Sequence, residues 1–240
     1  MSNTLPHSRL RSLVLHLVAG VPASLTFLLL ARPAADAGFP PLFAFLICVL
    51  GLLVPAQVLI MRSAMRAGDV PLVAYDAPLS SGRMAILVIG CLSWAVLCFA
   101  LLEPILARPV QSEWFAWWPR EFMLGDYLRR PESYARDVRI MTWCLGIVAA
   151  LVVPVCEEIY FRGYLMPRIP ARGIMVPAAS TVLFVLYHFW SPWLTGVRIL
   201  AVFPLYYFTW RTRNIYPAVI VHVLLNLVGD VIIVVPIVFS

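Results

Sequence analysis

The sequence predicts an all-α fold, a polytopic transmembrane bundle of seven to eight helices, and three observations carry that expectation. Hydrophobic residues make up 62% of the 240 positions and charged residues only 12%, with a mean hydropathy of +0.90, whereas soluble domains carry about 25% charge. Apolar runs close to the ~20 residues that cross a bilayer as helix recur along the chain. The 18 basic residues are all Arg, and most fall in the joints between those runs, the pattern by which membrane proteins orient. Residues 1–240 therefore read as a single integral membrane domain.

Taken in order, the runs predict helices near 12–31, 41–61, 84–107 and 140–162, then shorter ones near 176–190, 197–210 and 215–229. A stub at 231–239 is too short to span alone. The first run could be mistaken for a secretory signal, but from Ser12 to Ala31 it exceeds the 7–15 apolar residues usual there. With a cytoplasmic N-terminus, Arg9, Arg11, Arg62, Arg66, Arg83, Arg168, Arg172, Arg211 and Arg213 share the cytoplasmic side. Only Arg32 and Arg198 are left in the short opposite loops. That bias satisfies the positive-inside rule. Segment 108–139 carries Trp114, Trp117 and Trp118 among mixed charges and predicts an interfacial linker or lid.

Composition also removes function classes. The Arg residues are dispersed rather than gathered in a patch, so no nucleic-acid partner is expected. Cys48, Cys91, Cys98, Cys144 and Cys156 all lie in apolar runs without a CxxC pair, so they read as buried thiols.

Ionisable groups inside membrane spans are costly, and each is a functional hypothesis by default. They fall on three helices. On the fourth, Glu158 and Arg162 are four apart and share a face, while Glu157 projects about 100° away. The paired carboxylate is stabilised as an ion; the other is suited to work as a general base. A buried ion pair stapling two helices is the plainer reading of Glu158 and Arg162. On the fifth, Phe184 and His188 repeat the spacing, and on the seventh so do His222 and Asn226; interhelical hydrogen bonding would explain either histidine taken alone. By helical rise all four of Glu157, His188, His222 and Asn226 lie roughly 10–17 Å from the same membrane face. Glu157 with His188 can activate a water, and His222 with Asn226 can stabilise an oxyanion, which together amount to amide hydrolysis without a covalent enzyme intermediate.

The ordered trio Glu-Glu-x-x-x-Arg, Phe-x-x-x-His and His-x-x-x-Asn, across residues 140–230, resembles the CPBP family of CAAX proteases and bacteriocin-processing proteins, which includes the Rce1-type endopeptidases. The resemblance implies a glutamate-dependent intramembrane endopeptidase. Its water-activating pair would be Glu157 and His188, its oxyanion contacts His222 and Asn226, and its supporting pair Glu158 and Arg162. It also implies a membrane-anchored protein or peptide as substrate; no cofactor is expected, zinc being possible but not favoured.

A zinc-dependent protease is the nearest rival, although HExxH is absent. Ser180 and Ser191 lack a nucleophile elbow, and Asp230 has no partner for an aspartyl dyad. A non-catalytic scaffold or immunity protein and a small transporter are the readings from other classes. An Arg-only basic set points to a GC-rich genome and a bacterial inner membrane.

Overall fold

The structure is a computed structural model and describes residues 5–69, 71–119, 122, 124 and 131–229. Seven helices account for most of these residues: α1 (Arg9–Asp36), α2 (Pro41–Arg66), α3 (Ser81–Trp114), α4 (Arg136–Arg168), α5 (Met175–Leu186), α6 (Thr195–Thr212) and α7 (Tyr216–Leu227). The first four are long and apolar enough to cross a membrane. Among the described residues there is no strand, only an isolated bridge between Asp76 and Asn214. The stub at 231–239 lies outside the described residues.

Local sequence fixes most ends. Ser8 caps α1, its hydroxyl accepting from the Arg11 amide at 3.2 Å, which satisfies one of the unpaired amides of a first turn. Pro41 opens α2 at a position where its missing N–H costs nothing. Two boundaries differ from the hydropathy reading. Helix α3 runs on to Trp114 through a π-turn at Glu103–Ala107, so the expected interfacial segment begins as helix. Helix α5 stops at Leu186 rather than near 190, because Phe189 donates back to the Tyr187 carbonyl at 2.9 Å and Pro192 follows.

The bundle inverts the soluble pattern. Ile86, Ile89, Leu97, Leu101 and Ile105 line an exposed face of α3, while Glu157, Glu158 and Arg162 are buried. An outer surface of this kind suits lipid tails, and the chain is an integral membrane protein. Helix association in lipid rests on close packing rather than on expelling water. The interfaces accordingly use small residues, among them Ala19, Ala23, Ala31, Ala44, Ala149 and Ala150, all buried. Helix α6 packs on α5 and α3, and α7 packs on α4 and α3. The polar residues of α4 are thus enclosed by α5, α6 and α7.

One end of the bundle is tied by polar contacts. Arg11 pairs with Asp69 at 2.6 Å, the His7 amide donates to the Arg168 carbonyl at 2.8 Å, and Arg168 donates to the Pro71 carbonyl at 3.0 Å. Burial would raise the Asp69 carboxyl, but the Tyr164 hydroxyl and Arg11 outweigh it and hold the group below the usual carboxylate range. Arg213 bonds the Tyr75 hydroxyl. These contacts place the N-terminus, the α2–α3 connection and the far ends of α4 and α6 on one side, the grouping that the Arg pattern predicts.

Helix α1 is broken at Ala19, and the reason it tolerates the break is contact. A Cβ on Gly20 would stand 2.7 Å from the Tyr187 carbonyl oxygen and 2.9 Å from its ring, so only glycine lets α1 lie against the turn after α5. Gly20→Ala should therefore destabilise the protein by about 1–3 kcal/mol. Thermal unfolding in detergent would register this as a lowered midpoint.

Candidate functional site

The site is built outward from α4. Its regular helix ends at Glu157, and a π-turn takes over at Glu158–Leu165; single π-turns inside helices are frequent at functional sites. Glu157, Glu158 and Arg162 are 3%, 0% and 1% exposed. Arg162 donates to Glu158 Oε1 across four residues, the pairing that spacing predicts. Its guanidinium also lies over the Tyr206 ring at 3.8 Å and the Phe184 ring at 5.4 Å. The cation is thus held by a carboxylate and by two aromatic faces.

His222 of α7 faces both glutamates. Its Nδ1 donates to Glu158 Oε1 at 2.8 Å, and its Nε2 stands 3.6 Å from Glu157 Oε2. Glu158 Oε1 therefore accepts from two donors, whereas Glu157 takes no Arg. The other oxygen of Glu157, Oε1, accepts from the Tyr187 hydroxyl. Two carboxylates that are neighbours in sequence consequently have different surroundings: Glu158 is fixed in an ion pair, and Glu157 is held by a phenol with its second oxygen turned to an imidazole.

His188 lies two residues beyond the end of α5, a correction to its expected place on the helix. Its Nδ1 donates to the Phe184 carbonyl at 2.9 Å, one of the carbonyls left without a helical partner at a C-terminus. In the neutral ring that bond leaves Nε2 as the acceptor. The ring packs on Tyr187, with centroids 4.3 Å apart, and on Phe184 at 4.9 Å. His188 reaches Glu157 through the intervening Tyr187, without a direct hydrogen bond between the two. Asn226 lies one turn beyond His222, part-buried, and no hydrogen bond of its side chain occurs among the described residues.

Three residues of this site escape a reading by spacing. Tyr187 and Tyr206 are fully buried, and in sequence they are aromatics in apolar runs. Arg198, expected in an outer loop, stands instead in the first turn of α6, part-buried. It donates to the Ser191 hydroxyl at 2.9 Å and to the Ser191 carbonyl at 3.2 Å. The signal available in sequence was its place inside an apolar run, which a loop assignment conceals.

Beside the His188 turn lies an apolar cavity of about 270 Å³, walled by Val21, Leu25 and Leu28 of α1, by Trp118, and by Phe189 and Trp190.

Comparison with known protein families then decides the matter for one part of the chain. Residues 139–228 match the family described as type II CAAX prenyl endopeptidase, Rce1-like. This stretch is similar to Rce1-like domains. It covers a little over a third of the chain, and it contains all seven residues that the three motifs single out. At the level of the family it supports a CAAX-type intramembrane protease acting on membrane-associated substrates. Neither the curated proteins nor the solved structures contain a match to the chain.

Two substitutions test the geometry of the site. Arg162→Leu leaves the Glu158 charge buried without its cation, which typically costs 3–5 kcal/mol; loss of a monodisperse folded species in detergent is expected. Tyr187→Phe removes only the hydroxyl on Glu157, so the fold should persist with a loss of about 1–3 kcal/mol. Thermal unfolding in detergent should register this as a modestly lowered midpoint.

Proposed function

We propose that the chain is an intramembrane endopeptidase that hydrolyses a peptide bond of a membrane-anchored protein or peptide with a water activated by Glu157 and His188. The observation that carries this reading is the inequality of the two glutamates. Glu158 is neutralised in place by Arg162 and hydrogen-bonded by His222, while Glu157 has no arginine in direct contact and only the His222 imidazole 3.6 Å away. A buried carboxylate held in position but not consumed by an ion pair is suited to proton transfer.

In the proposed reaction the water oxygen bonds to the scissile carbonyl carbon as its proton passes to Glu157. His188 Nε2 accepts a hydrogen bond from the same water and orients it. The carbonyl oxygen becomes an oxyanion, stabilised by hydrogen bonds from Asn226 and from His222 when the ring carries both protons. Glu157 then returns its proton to the amide nitrogen as the C–N bond breaks. Tyr187 and the Glu158–Arg162 pair position these groups without touching the reacting atoms. No metal takes part in this scheme, and Nε2 of His222, 3.6 Å from Glu157, is the nitrogen free to meet the oxyanion.

The apolar cavity next to His188 fits the lipid-bearing or apolar portion of such a substrate. The Arg residues gathered at the N-terminal end of the bundle support a cytoplasmic N-terminus, and the composition supports a bacterial inner membrane.

Wild type and Glu157→Gln, purified in detergent and offered quenched membrane-anchored peptides with and without a chelator, test the scheme. The expected result is cleavage by wild type that survives chelation and falls by about 10²–10⁴-fold in the variant. Cleavage abolished by the chelator would put zinc in the mechanism. Folded wild type that cleaves nothing would favour a non-catalytic scaffold or immunity role.

A further inference from the structure

Helix α1 repeats a pattern that its hydropathy conceals: Ser12, His16, Gly20 and Ser24 stand at every fourth position. Residues four apart share a helix face, and all four are buried. His16 Nδ1 donates to the Ser12 carbonyl at 2.7 Å, and the Ser24 hydroxyl donates to the Gly20 carbonyl at 2.8 Å. Other polar atoms nearby find no partner. Among the described residues no hydrogen bond reaches the Ser12 hydroxyl, His16 Nε2 or either ring nitrogen of His7. Yet Ser12, His16 and His7 are only 3%, 1% and 5% exposed. On α2, Gln57 is fully buried with both amide atoms likewise unbonded.

Packing alone does not call for these groups. An alanine at 12 and an apolar side chain at 16 would fill the same space without stripping a hydroxyl and an imidazole of their water. Native interiors leave few polar atoms unpaired, and in a membrane span such groups point to function. Arg9–Val18 of α1 and Val54–Arg66 of α2 both pack on the π-turn of α4. By helical rise His16 lies about 10 Å from the start of α1 and Gln57 about 13 Å from the end of α2. At one end the row opens to the surface, where His7 Nε2 stands 3.8 Å from Asp69, itself 26% exposed. At the other end it meets the site. The His16 ring lies 6.0 Å from Phe161, which lies 4.7 Å from Tyr187. Gly20, one turn past His16, touches Tyr187, whose hydroxyl donates to Glu157.

We infer that this face of α1 is a water track: a file of ordered waters runs from the Asp69 end of the bundle past His7, Ser12 and His16 to the Tyr187 wall of the site, and delivers the water that hydrolysis consumes. An internal water makes about three hydrogen bonds to buried polar groups, and the row offers ring nitrogens and a hydroxyl in succession. One turn separates Ser12 from His16, about 6 Å of rise, which is the reach of one water bridging two hydrogen bonds. Gly20 then brings α1 into touch with the residue that holds Glu157. The use made of the water rests on the reading of the site as a protease; the hydration of the row does not.

Two measurements test the track. Hydroxyl radicals generated by X-ray radiolysis arise in water and oxidise the side chains beside it. In wild type held in lipid nanodiscs, His16 should be oxidised at doses that spare Phe27, an oxidisable ring on the same helix that is also 1% exposed. A His16 as inert as Phe27 would overturn the inference. In the second, on quenched membrane-anchored peptides, His16→Leu should lower kcat by about 10-fold with KM unchanged. His16→Gln, which keeps a polar group in the row, should recover most of that loss. Unchanged kcat in His16→Leu would overturn the delivery role. So would equal losses in the two variants, which would leave His16 as a packing residue. Ser12→Ala carries the same kcat test should His16→Leu not fold.

The radiolysis arm separates this inference from the reading beneath it. If folded wild type cleaves no peptide, the protease reading fails. Oxidation of His16 in that same protein would still support a hydrated track, and its absence would sink it.

Discussion

The ion pair between Glu158 and Arg162 is the constraint on which the rest of the domain depends. In the membrane layer no water is at hand to solvate either charge, and an unpaired ion costs several kcal/mol. Four helices answer that demand. Helix α4 supplies both charges, α5 and α6 supply the aromatic faces of Phe184 and Tyr206, and α7 supplies His222. Once α7 is drawn in to satisfy Glu158, His222 also stands against Glu157. The structural pair and the candidate catalytic carboxylate are therefore coupled through one imidazole.

The second constraint is closeness. Gly20 lets α1 touch the Tyr187 backbone, and the Tyr160 hydroxyl donates to the Leu15 carbonyl at 2.5 Å. These contacts hold the turn after α5, and with it Tyr187, against α1. Tyr187 then reaches Glu157, His188 packs on Tyr187, and Ser191 of the same turn receives Arg198. A short stretch of irregular backbone thus bears on the carboxylate, the imidazole and the guanidinium. Backbone of this kind is tolerated at membrane depth where it is buried in protein or lines a cavity.

The N-terminal helices carry none of the three motifs, yet the domain is incomplete without them. Helix α1 and Trp118 wall the cavity beside His188, and α2 packs against α4. The matched segment at 139–228 contains the polar residues; the remainder supplies much of the enclosure that keeps water and lipid from them.

By itself the sequence determined the helical, membrane-embedded character of the chain, since apolar length is a property of composition. It also determined the pairing of Glu158 with Arg162, because residues four apart on one helix meet whatever the rest of the fold does. The likeness of residues 139–228 to the Rce1-like family was legible in the same local motifs. Packing decided the rest. Tyr187 on Glu157 joins residues 30 apart and His222 on Glu158 joins residues 64 apart, contacts set by the rotation and depth of separate helices. Arg198 read as a loop residue because charge was used to place loops, and only the close packing of α6 on α3 and α5 draws it into the site. Spacing along one helix reports what a single element can do; which phenol and which imidazole meet each carboxylate depends on how the helices meet.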